Sequence, residues 1–131
     1  MIFVFGSNLA GIHGAGAAKY AKQYRGAISG QGIGLQNQSY AIPTKDEHIQ
    51  SLPLELITQH VYTFISFARE HSIPNPKSLS FQITRIGCGL AGFTDDQIAP
   101  MFASAPSNNC FFDANWRPYL GSQFEYWGRH A

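Results

Sequence analysis

The chain has 131 residues, enough for one domain spanning 1–131 that removes roughly two thirds of its unfolded surface from water and so builds its own core. Nine basic residues against eight acidic ones give a formal charge of +1 with no basic run, which excludes the broad electrostatic footprint of a duplex-binding protein. No apolar run approaches the ~20 residues of a bilayer span, so no membrane partner is expected; the only two cysteines, Cys88 and Cys110, lack CxxC spacing, which speaks against zinc and suits a reducing cytoplasm.

Residues 1–5 are apolar but lack the basic start and cleavage region of a signal peptide, and Gly6 ends the run; residues 2–5 are predicted as a strand buried on both faces. A polar, glycine-punctuated loop follows over 6–14. The alanines, Lys19, Lys22 and Gln23 then favour a helix over 15–24, whose small first residues permit close approach to a sheet or a ligand. Residues 26–38 predict a short strand around Ala27-Ile28-Ser29 and a loop. Tyr40-Ala41-Ile42-Pro43 reads as a strand that Pro43, lacking an N–H, should end, with Lys45 just beyond it.

Leu54, Ile57, Val61, Phe64, Ile65 and Ala68 recur at three- and four-residue intervals and predict an amphipathic helix over 53–71. Ile73-Pro74-Asn75-Pro76 stops it. Residues 79–86 are predicted as a strand. Thr94 and Gln97 form a capping-box pattern for a helix, although Pro100 allows a start near Ala99 instead. Cys110-Phe111-Phe112 is predicted as the final strand, and the tail beyond Asp113, with Trp116 and Trp127, should fold onto the body to hide its aromatics. Strands alternating with helices predict an α/β fold with a mostly parallel sheet between helical layers, and such sheets bind ligands beyond the carboxyl ends of their strands.

Two glycine-rich stretches and Lys45 fall at that edge. His13-Gly14-Ala15-Gly16 opens a helix, where unpaired N–H groups and the helix dipole attract phosphate. A Rossmann site fits poorly, because eight residues separate Phe5 from Gly14 and no acidic residue stands ~20 positions further on to hold a ribose. The second stretch, Gly87-Cys88-Gly89-Leu90-Ala91-Gly92-Phe93, again follows a strand and precedes a helix, with N–H groups free to turn toward an anion. Either stretch alone could be a plain connection. Cys88 has no evident histidine base and reads as a structural thiol rather than a nucleophile. His13 is either a phosphate or ribose contact or an exposed loop residue; His48, His60, His71 and His130 show no metal spacing. Trp116, Tyr119 and Trp127 pack or, less simply, stack on a base.

From Phe5 to about Phe112 the chain resembles the macrodomain family, and most closely the branch that includes the terminal ADP-ribose protein glycohydrolase and the yeast ADP-ribose-phosphate phosphatase. Gly14-Ala15-Gly16 is similar to that branch's GAG phosphate loop, Gln31-Gly32 to its following glutamine, and Thr44-Lys45 to its TK pair. Arg85-Ile86-Gly87-Cys88-Gly89-Leu90 is similar to its RIGCGL signature. The resemblance implies a three-layer α/β/α fold with a mixed, mostly parallel sheet, and a diphosphate between the two glycine loops. It also implies a distal ribose near Asn8 and Gly89, an adenine against apolar or aromatic side chains, and no metal or cofactor.

The implied ligand is ADP-ribose or an ADP-ribosylated substrate, nucleic acid being a partner only if it carries that modification. In the glycohydrolase the TK lysine attacks the distal ribose carbon, and an aspartate directly after GCGL assists release. Lys45 matches the first role. Ala91 stands at the second and cannot exchange a proton, which leaves Asp95, Asp96 or Asp46 as substitutes. Lys45 otherwise reads as a phosphate contact or a solvated charge. Three functions follow: an ADP-ribosyl hydrolase acting through Lys45 on a glycosidic or O-acyl linkage, a non-catalytic reader of ADP-ribose-related nucleotides, or a phosphatase acting on ADP-ribose phosphate.

Overall fold

The computed structural model of the chain describes residues 1–128. Six strands, β1 (Ile2–Asn8), β2 (Gly34–Gln36), β3 (Ser39–Lys45), β4 (Phe81–Ile83), β5 (Cys110–Asp113) and β6 (Glu125–Gly128), form one sheet in the order β2-β3-β1-β4-β5-β6. All neighbours are parallel except β2 and β3, which pair antiparallel around a tight turn at Asn37, where φ is 58°. Asparagine tolerates this left-handed conformation, and its side chain also donates to Gly26 O at 2.8 Å.

Helices cover both faces. Successive strand residues point to opposite sides, so Phe3 and Phe5 face α1 (Gly16–Tyr24) in one buried cluster with Ala18, Ala21, Ala27 and Ala41. Val4, between them, faces the larger cluster on the other side. There α2 (Leu54–Glu70) buries Ile57, Val61, Phe64, Ile65 and Ala68 against Tyr40, Ile42, Phe81 and Ile83. Burial of each such side chain is worth about 1.5–3 kcal/mol. The result is a three-layer α/β/α arrangement with a mixed, mostly parallel sheet. No described helix is long and apolar enough to cross a membrane.

The capping pattern at Thr94 is real: its N–H donates to Gln97 Oε1 at 3.0 Å and opens α3 (Asp95–Ile98). A 3-10 turn (Ala99–Phe102) continues from it with Pro100 in its first turn, where a missing N–H costs no intrahelical bond. Both expected starts therefore exist, back to back. Phe102 and Trp116 are fully buried, and α4 (Arg117–Leu120) adds Leu120 to the same cluster.

Four expectations need correction. Residues 27–29 form no strand: Ala27 is drawn into the core beneath α1, and the short strand lies at Gly34–Gln36 instead. Pro43 lies inside β3 rather than ending it, because β2 pairs only as far as Ala41 and the register with β1 shifts between Ser7 and Asn8. The strand expected over 79–86 shrinks to Phe81–Ile83, since the chain beyond leaves the sheet to form the second glycine loop. Finally, β5 is not the last strand. The aromatic tail returns to the sheet edge as β6, where Trp127 Nε1 donates to Ile83 O at 3.0 Å.

Candidate functional site

The carboxyl ends of β1, β3 and β4 stand side by side, and the loops leaving them enclose a cavity of about 530 Å³. Ligand cavities typically fall in this size range. Its wall takes Gly6, Ser7 and Asn8 from β1, Ile12 and residues 14–18 from the first glycine loop and α1, Thr44 and Lys45 from β3, Ile49, and then Thr84, Arg85 and residues 87–91. The two glycine loops therefore open on one space.

Local chemistry explains this shape. Asn8 folds the first loop over the strand end: its Oδ1 accepts from Ile12 N at 3.0 Å and its Nδ2 donates to Ile12 O at 2.8 Å. Gly32 then lets a second segment lie on β1, because a Cβ there would stand 2.0 Å from Asn8 O. Ser7 Oγ donates to Gly32 O and locks the same contact. At the start of α1 the residue before the first turn is Ala15, whose side chain cannot cap, and the first turn holds no acid. The first N–H groups of the helix therefore have no side-chain cap, and the positive end of the helix dipole stands behind them.

The wall carries two cationic side chains, Lys45 and Arg85, and no carboxylate among the described residues. Arg85 is held by Asp95, its Nε donating to Oδ1 at 2.8 Å and its terminal nitrogen to Oδ2 at 2.7 Å. Asp95 Oδ1 also accepts from Trp116 Nε1 at 2.7 Å. The Arg85 hydrogen bonds hold the Asp95 carboxyl below the usual carboxylate range; burial opposes them and the Trp116 bond assists. The Cys88 thiol goes the other way. Burial first, and the nearby Asp95 carboxylate second, push it up to about 12, so it is a protonated thiol and no nucleophile near neutral pH.

Of the residues singled out in the sequence, Asn8, Gly14, Ala15, Gly16, Thr44, Lys45, Gly87, Cys88, Gly89, Leu90 and Ala91 line the cavity. Others do not. His13 is neither exposed nor on the wall: its ring is buried edge-on against Phe5, and Nε2–H points at Ile28 O (3.0 Å) and Gln31 O (3.1 Å). Those carbonyls can only accept, which fixes the proton on Nε2. Gln31 turns its amide to Ile33 O and Leu35 O, at 3.1 Å each. The buried glutamine that organises this loop is Gln36, overlooked in the sequence, which accepts from Ile28 N and donates to Gln31 O and Gly34 O.

Gly92 and Phe93 also leave the wall, because the second glycine loop closes on itself: Gly92 N donates to Gly89 O and Phe93 N to Gly87 O, while the Phe93 ring packs on the core. Asp95 is occupied by Arg85 and Trp116, and Asp96 accepts from Thr94 Oγ. Neither lines the cavity. Asp46 instead caps its own turn, accepting from His48 N at 2.8 Å and Gln50 N at 3.0 Å. No set of metal-ligating side chains occurs among the described residues, and His130 lies outside them. Ser7, Thr84 and Arg85 were recoverable as strand-end neighbours of residues already chosen. Ile12 and Ile49 gave no signal, since a lone aliphatic in a polar loop says nothing of where it points.

No family model matches the chain, and no curated protein or solved structure matches it.

Proposed function

We propose that the cavity binds ADP-ribose, or a compound carrying it, in the manner of a macrodomain. The observation that supports this most is the convergence of two glycine loops and an uncapped helix N-terminus on one cavity whose charged side chains are both cationic. A diphosphate is the anion that two such loops can hold from opposite sides, each through backbone N–H groups. Asn8 and Gly89 on the same wall suit a ribose, and Lys45 stands where a nucleophile or a phosphate contact would be needed. The two free thiols agree with a cytoplasmic setting.

Between hydrolysis and binding without turnover, the second is favoured by one specific finding. A lysine-dependent glycohydrolase needs a carboxylate to exchange a proton at the departing group, and none of Asp95, Asp96 and Asp46 lines the cavity. Calorimetric titration with ADP-ribose, with AMP and NAD as comparison ligands and product analysis on the same samples, tests the proposal. Micromolar, selective binding without product supports the reader; release of free ADP-ribose from a modified substrate, lost in Lys45→Ala, returns the hydrolase; no binding removes both.

A further inference from the structure

The formal charge of +1 conceals an uneven distribution. None of residues 1–45 is acidic, all eight Asp and Glu residues standing from Asp46 onward, whereas Lys19, Lys22, Arg25 and Lys45 are basic. That stretch supplies β1, α1, β2 and β3, so the layer that α1 makes over Phe3, Phe5 and Ala41 is built from a segment with cations and no acidic side chain. Glu55 and Glu70, both exposed, belong to α2 on the opposite side of the sheet. No ion pair joins Lys19, Lys22 or Arg25 to a described residue. A charge distribution of this kind directs an anion to one side of the molecule despite a net charge near zero.

The helix sorts two kinds of side chain along its outer surface. Ala18 and Ala21 are buried against the sheet. At about 3.6 residues per turn, Lys19 and Lys22 fall on one flank and Tyr20 and Tyr24 on the other, with the exposed Gln23 on the ridge between them. The tyrosines continue a ladder that begins in the core: ring centres lie 5.0 Å apart from Phe3 to Tyr20 and 5.1 Å apart from Tyr20 to Tyr24, both pairs tilted. Arg25 braces the foot of the ladder. Its guanidinium lies 5.6 Å from the Phe3 ring centre and 6.0 Å from that of Tyr20, and its Nη1 donates to Met1 O at 3.3 Å. Tyr24, the last member, is 69% exposed. An exposed ring packed on a braced neighbour is a stacking platform that loses little freedom when a second ring covers it.

A single nucleic-acid strand has the complementary arrangement, phosphates along one edge and base faces along the other. A duplex hides its base faces, and a lipid surface offers phosphates without rings. We propose that the outer surface of α1 binds single-stranded nucleic acid, with Lys19 and Lys22 contacting phosphates, Tyr24 stacking on a base and Arg25 holding the tyrosine ladder in place. The helix has nine residues, a rise of about 13 Å that spans a few nucleotides. This surface lies along the helix rather than in the cavity, and the proposal is independent of the ADP-ribose reading.

Fluorescence anisotropy of a labelled oligothymidylate of about twelve nucleotides tests it, with the same strand annealed to its complement and phosphatidylserine vesicles for comparison, ADP-ribose as competitor, and thermal unfolding of each variant. Wild type should bind the single strand at low salt more tightly than the duplex, and ADP-ribose should not displace it. Lys22→Glu should weaken binding about fivefold or more and flatten its salt dependence, each phosphate contact contributing about 0.7 to the slope of log affinity against log salt. Lys77→Glu, the same change of charge at an exposed position in the loop after α2, should not. Tyr24→Ser should weaken binding about fivefold or more with the salt slope unchanged, and Tyr24→Phe should restore it. Lys22 and Tyr24 are exposed, so these variants should melt with wild type. No binding at low salt, equal loss in Lys77→Glu, no loss in Tyr24→Ser, equal affinity for the duplex, or displacement by ADP-ribose each overturns the proposal. Tighter binding to the vesicles, insensitive to Tyr24→Ser, also overturns it and assigns the lysines to an anionic lipid surface. Strand binding by a protein that ignores ADP-ribose supports it and removes only the reading of the cavity.

Discussion

Arg85 and Asp95 meet at two points, Nε to Oδ1 at 2.8 Å and the terminal nitrogen to Oδ2 at 2.7 Å, and the same carboxylate accepts the indole N–H of the buried Trp116. One acidic side chain thus ties the cavity wall to the core beneath α4. It also adds to the burial that raises the Cys88 thiol, and it lies off a cavity wall that carries no carboxylate among the described residues.

Asp95→Asn should therefore act on stability first. It weakens a partly exposed ion pair and disturbs the acceptor of a buried indole, an effect of about 1–3 kcal/mol in urea unfolding at neutral pH. The sign with pH follows from the depressed carboxyl. Its contribution is fully present above the ordinary carboxylate pKa of about 4 and is lost as pH falls through the lower folded value, so wild type and variant should converge in strong acid. A constant difference across that range would show that the ionised carboxylate is not what stabilises.

Cys88 should behave as an inert thiol although it lines the cavity. With its pKa pushed up to about 12, alkylation by iodoacetamide near neutral pH should run at least about a hundredfold slower than for a free cysteine. Cys88→Ala should also retain ligand binding. Fast alkylation of Cys88, read by mass spectrometry, would contradict the desolvated environment assigned to it.

Gly89 and Gly32 offer a contrast between open space on the cavity wall and space filled by the protein. A Cβ at Gly89 meets nothing within 4 Å, so Gly89→Ala should leave the melting temperature unchanged and weaken ligand binding alone. A Cβ at Gly32 would stand 2.0 Å from Asn8 O. Gly32→Ala must then shift backbone and should cost about 1–3 kcal/mol, with binding lost as a consequence of the displaced Asn8. Thermal unfolding beside calorimetry separates the two; equal losses of stability in both would show that Gly89 is packing too.

Much of this site was legible because the signals that wrote it are local. The heptad-like spacing of Leu54 through Ala68 marked α2 to within a residue at each end, with Pro53 and His71 its caps. The two glycine stretches fell at strand ends because parallel strands place their loops on one edge. What stayed hidden depended on distant partners. His13 was drawn inward by carbonyls fifteen and eighteen residues away, and Asp95 by an arginine ten residues before it and a tryptophan twenty-one after. The strand at Glu125–Gly128 carries a charge and a glycine in four residues, so only pairing with β5 at the sheet edge reveals it. Ile49, at φ of 64°, violates its own backbone preference, and no reading of propensity anticipates that.

The central claim, that both glycine loops hold one diphosphate, is tested most directly by titrating ADP-ribose into nitrogen-15-labelled protein and following each backbone amide. The account predicts saturable shifts concentrated in residues 14–18 and 87–91 together, with Asn8 and Lys45 moving in step. Shifts confined to one loop, centred on the separate groove around Arg117, Tyr126 and Trp127, or absent at saturating ligand would contradict it.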